Sequence, residues 1–246
     1  SAGTVEFLVD KNLDFYFLEM NTRIQVEHPI SEIVSGIDLV ELMIRVEAGE
    51  RISQTQEDIN PKGHAIEVRV YAEDPIKNFF PSTGRITKFF IPTDNKFIRL
   101  DSGVSEGSEI SVYYDPMLAK LIAHAPTRNE ACKALTETLE RARVSGVVNN
   151  MLFLIAILNN KKFQTGNVNT NFIADGWPTG FTYPNLSVPV IRELVAAISY
   201  VHTFNEERNF GERFKKDLHF TLINKWHISI DNQHYGSEVK YINDEV

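Results

Sequence analysis

Apolar and polar positions alternate at the start of the chain, and they do so twice. Thr4–Val9 is β-branched and apolar around one acid, and residues 15–20 repeat the pattern. Asp10-Lys11-Asn12-Leu13-Asp14 between them is turn chemistry, so the two runs predict an antiparallel hairpin. The period then changes. Residues 38–48 have helical spacing, with Asp38 placed to cap the N-terminus and Gly49 to stop the far end. Lys62-Gly63 leads into a predicted strand over 65–71, and further strands are predicted over 85–90, 97–101 and 111–113.

Helical spacing returns at Thr127-Arg128-Asn129-Glu130, a capping box. It opens a helix with Ala131, Leu135, Leu139 and Ala142 on one face and Cys132 beside it, a place for a buried, inert thiol. Residues 149–160 are apolar all round, which predicts a buried helix. Trp177-Pro178-Thr179-Gly180-Phe181 breaks the pattern and reads as a domain boundary. Beyond it Ser187-Val188-Pro189 opens a helix to about Thr203, and short strands are predicted over 220–223, 227–230 and 239–242.

With 246 residues the chain can form one large domain or two ordinary ones. A formal net charge of -8 argues against a nucleic-acid binder, which needs clustered basic residues. A local group of arginines can still hold a small anion. The single cysteine excludes an internal disulfide, no Cys/His zinc pattern occurs, and both agree with a reducing compartment. The longest apolar run, Met151–Leu158, is far short of the roughly 20 residues that span a bilayer, and no signal-peptide pattern opens the chain. The chain begins Ser1-Ala2-Gly3 without an initiator Met and stops at Asp244-Glu245-Val246 in strand-rich sequence. Both ends read as cuts, so a fragment is expected.

The densest chemistry is Phe17-Leu18-Glu19-Met20-Asn21-Thr22-Arg23-Ile24-Gln25-Val26-Glu27-His28-Pro29. In an extended chain alternate residues share a face. Phe17, Glu19, Asn21, Arg23, Gln25 and Glu27 then point one way, and Leu18, Met20, Ile24 and Val26 point to a core. With the hairpin turn near Asn12, Glu6 lies opposite Glu19. Facing carboxylates destabilise a strand pair unless protons or a cation intervene. Two Glu and the Asn21 amide are oxygen ligands suited to Mg²⁺ or Mn²⁺, ions that keep positions for water and substrate phosphate. The spacing equally allows an amphipathic hairpin whose acids face water.

Arg23 and Glu27, four apart, could hold a planar anion while the acid removes its proton, or could form a plain structural ion pair. His28, before a proline and without a partner at ligand spacing, reads as structural. In 63–75 Glu67 and Arg69 share a strand face, as do Tyr71 and Glu73. No Walker A loop, Gly-x-Gly-x-x-Gly or Gly-x-Ser-x-Gly occurs, which leaves Rossmann oxidoreductase and serine hydrolase readings without support.

The run from Glu19 to Pro29 resembles a distinctive signature of biotin carboxylases. Gly63-His64-Ala65-Ile66-Glu67-Val68-Arg69, Ala72-Glu73-Asp74-Pro75, Phe80-Pro81-Ser82-Thr83-Gly84, Tyr113-Tyr114-Asp115-Pro116-Met117 and Leu118-Ala119-Lys120-Leu121 follow in the same order. The resemblance covers 1–176. It implies an α+β chain with the end of an ATP-grasp domain (1–50) and a biotin carboxylase C-terminal domain (51–178); a second resemblance, given below, makes 179–246 part of a linking domain.

By the same resemblance Glu6, Glu19 and Asn21 are the Mg²⁺ or Mn²⁺ ligands, with Glu19 also touching ATP. Arg23, Gln25 and Val26 contact bicarbonate, Glu27 deprotonates it, and Arg69 holds bicarbonate and stabilises the biotin enolate. The implied reaction carboxylates biotin with ATP and bicarbonate through carboxyphosphate. Residues 180–246, with Asn224-Lys225-Trp226-His227-Ile228-Ser229-Ile230, resemble the helix-plus-β-barrel linking domain of propionyl-CoA carboxylase alpha subunits, which docks the carboxyltransferase subunit. Acetyl-CoA, methylcrotonyl-CoA and pyruvate carboxylases are the alternatives, and a non-catalytic assembly module is the alternative class.

The family's first domain and glycine-rich lid would lie upstream, and its Met-Lys-Met biotinyl site is not in this sequence. The fragment alone is therefore expected to be inactive, and biotin to be carried elsewhere on a biotinyl domain. The expected parent is a hetero-oligomer of the bacterial cytoplasm, or of the mitochondrial matrix if eukaryotic, with no nucleic-acid or membrane partner.

Overall fold

Strand β1 (Thr4–Val9) pairs antiparallel with β2 (Phe15–Asn21) in the computed structural model, which describes residues 1–183, 185–213, 224–230 and 233–240. The turn is built by Asp10, whose side chain accepts from the backbone N–H of Asn12 and Asp14 at 2.8 and 3.0 Å. A register shift between Glu6 and Phe7 leaves Leu18 as the extra residue of a bulge. Phe17 therefore packs with Phe7, ring centroids 6.2 Å apart, and leaves the row that Glu19 belongs to.

Helix α1 (His28–Ser35) follows, with Pro29 in its first turn, where a missing N–H costs nothing. Helix α2 (Leu39–Glu47) is capped by Asp38, which accepts from Glu41 N at 2.8 Å, and Gly49 turns out of it at φ +89°.

Three antiparallel strands form the sheet that carries the site: β3 (His64–Tyr71), β4 (Ile98–Ser102) and β5 (Met117–Ala125), in the order β3-β5-β4. Alternation splits it cleanly. Ile66, Val68, Val70, Leu121 and Ala123 are buried on one face, against helix α3 (Arg128–Arg141). Thr127 caps α3, and its Ala131, Leu135 and Leu139 lie in this core beside Cys132, whose thiol is pushed up by burial. Glu67, Arg69, Lys120, Asp101 and Arg99 share the other face, where Arg69 stands opposite Lys120 and Lys120 opposite Asp101. Helix α1 packs against β3 and β5 on this polar side.

Several sequence expectations give way. The polar row does not continue as a strand past Asn21, because the chain leaves the hairpin there and turns into α1. Leu18 and Met20 are 51% and 57% exposed, so the far side of the hairpin packs on no core among the described residues. The predicted strand over 85–90 is two pieces, Gly84–Arg85 and Lys88–Phe90, and 111–113 is loop beside the strand Glu109–Ile110. Helix α4 (Met151–Leu158) buries Phe153 and Leu158 but leaves Leu152 54% exposed, so its apolar character is only half used. Phe153 gathers the rings of Phe79, Trp177 and Phe181 at 4.9–5.2 Å.

The contacts divide the chain into one unit, Ser1–Tyr183, and a second over the remainder. In the second, helix α5 (Val188–Arg213) runs past its predicted end at Thr203 and packs on a hairpin of β6 (Lys225–Ile230) and β7 (Gln233–Glu238). Trp226 Nε1 donates to Thr203 Oγ1 at 2.8 Å, and the Ser199 hydroxyl meets that of Ser237. The predicted strand 227–230 lies in β6. The one over 220–223 lies outside the described residues, as do 241 and 242, while Val239 and Lys240 are not in a strand.

Candidate functional site

The bulge decides which side chains meet in the hairpin. Glu6 and Glu19 are direct cross-strand partners, joined through Asn21. The Asn21 amide donates to Glu6 Oε1 at 2.8 Å and to Glu19 Oε1 at 3.3 Å. Gln25 donates from Nε2 to the same Glu6 oxygen at 2.7 Å. Facing like charges repel, and here the Asn21 amide stands between them. The two ends of an amide differ by a half-turn. With the Asn21 oxygen inward the set becomes two carboxylates and a carbonyl, the oxygen donors that magnesium or manganese takes. A hard divalent ion fits these residues. Groups of three or more His, Cys, Asp or Glu side chains placed to hold a metal are absent among the described residues. This cluster has two acids and relies on the amide.

Arg23 does not meet Glu27. Its Nη1 donates to the carbonyl of Ile24 at 3.1 Å and its side chain is exposed. The four-residue spacing counted along a strand that has already ended. Glu27, delivered by a turn at the head of α1, pairs instead with Arg69 on β3, Oε2 to Nη2 at 2.7 Å. His28 braces the turn through Nδ1, 2.7 Å from the Gln25 carbonyl.

The same turn is gripped from below. Lys120, only 12% exposed, donates from Nζ to the Val26 carbonyl at 3.0 Å and lies 3.6 Å from Asp101. Asp101 holds Arg99 bidentately at 2.9 and 3.0 Å, and Arg99 reaches Glu32 of α1 at 3.0 Å. Glu32 in turn accepts from Leu39 N at 3.1 Å. Val26 is thus tied to the sheet, and the sheet to α1 and α2, by one chain of charge-assisted contacts. Burial works against the Asp101 charge, but Arg99 and Lys120 outweigh it and hold the carboxyl below its usual range.

Arg69 has a second carboxylate neighbour. Glu67 Oε1 lies 3.7 Å from Arg69 Nε. Burial pushes the Glu67 carboxyl up, against Lys120 and Arg69, which pull it down. Burial also works against the Arg69 charge, but Tyr71, Glu27 and Glu67 more than compensate and raise its pKa.

The backbone that carries Arg69 is clamped by Asn150, which is buried at the head of α4. Its Nδ2 donates to the Arg69 carbonyl at 3.1 Å, and its Oδ1 accepts from Tyr71 N at 2.9 Å. Asn150→Ala leaves both groups without partners and is expected to cost about 1–3 kcal/mol, read as a lower denaturation midpoint. An unchanged midpoint would show that the clamp is idle.

Comparison with known proteins agrees with this layout. Residues 67–175 match the model of the biotin carboxylase C-terminal domain, and residues 1–55 match that of the carbamoyl-phosphate synthase L chain, ATP binding domain. The propionyl-CoA carboxylase alpha chain of Ruegeria pomeroyi is 42% identical over 270 aligned residues, covering 98% of this chain and 40% of the relative. The chain belongs to the biotin carboxylase family.

Biotin carboxylase 2 of Bacillus subtilis is 49% identical over 70% of the chain and 38% of its own length. Among solved structures, the biotin carboxylase domain dimer of Hydrogenobacter thermophilus 2-oxoglutarate carboxylase, in complex with MgADP, ADP and bicarbonate, superposes with a TM-score of 0.71. It is 43% identical and covers 74% of this chain and 40% of that one. The chain spans 40% or less of the length of each of these relatives. No helix among the described residues is long and apolar enough to cross a membrane.

Within this biotin carboxylase segment, sequence reasoning missed Lys120, Asp101, Arg99, Glu32 and Asn150. Lys120 had a signal. It is the one charge in the run Met117-Leu118-Ala119-Lys120-Leu121-Ile122-Ala123, and a lysine kept inside an otherwise apolar strand needs a partner. Glu32 and Asn150 had none, because their partners lie 67 and about 80 residues away.

Proposed function

We propose that this chain is the C-terminal part of a biotin carboxylase that uses ATP and bicarbonate to carboxylate biotin within an acyl-CoA carboxylase of the propionyl-CoA class. The observation that carries the reading is the meeting of Glu27 with Arg69 on a turn whose Gln25 reaches into the Glu6–Glu19–Asn21 oxygen cluster. An acid and a guanidinium in contact can handle a small planar anion, and an oxygen cluster nearby suits the metal that accompanies phosphate transfer.

In this reading Glu6, Glu19 and Asn21 hold Mg²⁺ or Mn²⁺, with Glu19 also facing ATP. The ion would supply charge neutralisation at the phosphate oxygens. Arg23, Gln25, Val26 and Arg69 bind bicarbonate. Glu27 accepts the bicarbonate proton on a carboxylate oxygen, which leaves the substrate oxygen free to attack phosphorus. Lys120 keeps the Val26–Glu27 turn in place while this happens.

The domain reading is 1–50 as the end of an ATP-grasp domain, 51–178 as the biotin carboxylase C-terminal domain and 179–246 as part of a linking domain. Relatives named propionyl-CoA carboxylase alpha chain match between 74% and 98% of the chain, that of Ruegeria pomeroyi nearly all of it, whereas the two biotin carboxylases reach 70% and 74%. The matches that extend over the last quarter support a docking role toward a carboxyltransferase subunit for it. Because the segment spans so little of its relatives, it is expected to show no ATP turnover by itself.

The test uses the full-length parent chain with its partner subunit. The wild type should hydrolyse ATP in a bicarbonate-dependent way and carboxylate biotin. Arg23→Ala should lose carboxylation while still co-purifying with the partner. Wild-type protein without bicarbonate-dependent hydrolysis, or Arg23→Ala with full carboxylation, would sink the reading.

A further inference from the structure

The polar face of the sheet holds a buried carboxylate oxygen without a hydrogen-bond partner among the described residues. The Glu67 side chain is 5% exposed, and its Oε2 is buried without a hydrogen-bond partner. An unsatisfied buried acceptor is destabilising, the more so when charged. The residue facing Glu67 across the strands is Ile122, itself fully buried, so an apolar side chain would suit this position better for stability alone.

A guanidinium is a planar fork with separate Nε and Nη edges. Arg69 shows its Nη2 to Glu27 at 2.7 Å and its Nε to Glu67 at 3.7 Å. The two acids are unequal. Glu27 is half exposed and sits on the turn, while Glu67 is enclosed on the strand that also carries Arg69. An acid that must give up its contact to take a proton cannot also fix the direction of the arginine. The enclosed one can.

We propose that Glu67 is a positioning residue for Arg69: its buried carboxylate takes the Nε edge of the guanidinium and leaves the Nη edge to Glu27 and an incoming anion. This deepens the biotin carboxylase reading and rests on it. Without the Glu67 charge, Arg69 has Glu27 as its remaining close carboxylate, which ties up the base and turns the fork away from the substrate.

Glu67→Gln and Glu67→Asp in the full-length carboxylase test this. Bicarbonate-dependent ATP hydrolysis and biotin carboxylation give kcat and separate KM values for bicarbonate and ATP, and thermal unfolding gives Tm. Glu67→Gln should lower kcat for biotin carboxylation by about 10- to 100-fold, the size of effect seen when a partner that orients a metal-binding side chain is lost. The KM for ATP and the Tm should hold, and Glu67→Asp should recover part of the rate. Wild-type kcat in Glu67→Gln overturns the proposal. So does a joint collapse of Tm and both KM values, which marks a structural group. A wild-type protein without bicarbonate-dependent hydrolysis overturns the underlying reading as well, so the two failures are told apart.

Discussion

Glu27→Gln in the full-length carboxylase is expected to lower kcat for bicarbonate-dependent ATP cleavage by about 10²–10⁴-fold, the range a positioned general base contributes. The amide keeps the shape of the side chain and its place on the turn, and it still presents an oxygen to Arg69 Nη2. What it cannot do is take a proton. The Glu6–Glu19–Asn21 cluster makes its contacts without Glu27, so the KM for ATP should stay near the wild-type value. Initial rates at varied ATP and bicarbonate separate the two constants. An unchanged kcat would remove Glu27 from the base's role, and a large rise in the KM for ATP would mean that the two clusters work as one.

The second large effect concerns stability. Leu121→Ala is expected to destabilise the fold by about 2–5 kcal/mol, as full truncations in a packed core do. Leu121 is completely buried on the central strand β5, among Val68, Leu135 and the other residues of the main core, and it faces α3 rather than the charged side. Denaturant unfolding should show a lower midpoint with little change in slope. Its neighbour Lys120 points the other way, so any loss of activity in Leu121→Ala should follow the loss of folded protein. A midpoint equal to that of the parent would contradict the packing described here.

Local pattern carried much of this architecture and then ran out. The hairpin, the Asp38 and Thr127 caps and the apolar face of α3 were legible because each depends on residues within one turn or one strand pair. The facing of Glu6 and Glu19 followed from the turn at Asp10–Asp14, although the bulge at Leu18 that moves Phe17 out of the row did not. Strand β5 escaped notice because its apolar run has no strict alternation, being buried on the α3 side and partly covered on the other. The site was legible in composition but not in pairing. Arg23 and Glu27 looked like partners only while the backbone was taken to stay extended, and the true partner of Glu27 is set by the packing of α1 on β3.

The strand bearing Arg69 lies at the outer rim of its three-stranded sheet, and such a rim normally offers hydrogen bonds to any passing peptide. Asn150 plugs that vacancy with a side chain that imitates one rung of a fourth strand. The amide that steadies the arginine therefore also occupies the pair of edge groups nearest to it. Losing it would leave that rung of the strand bare beside Arg69, open to the backbone of another chain.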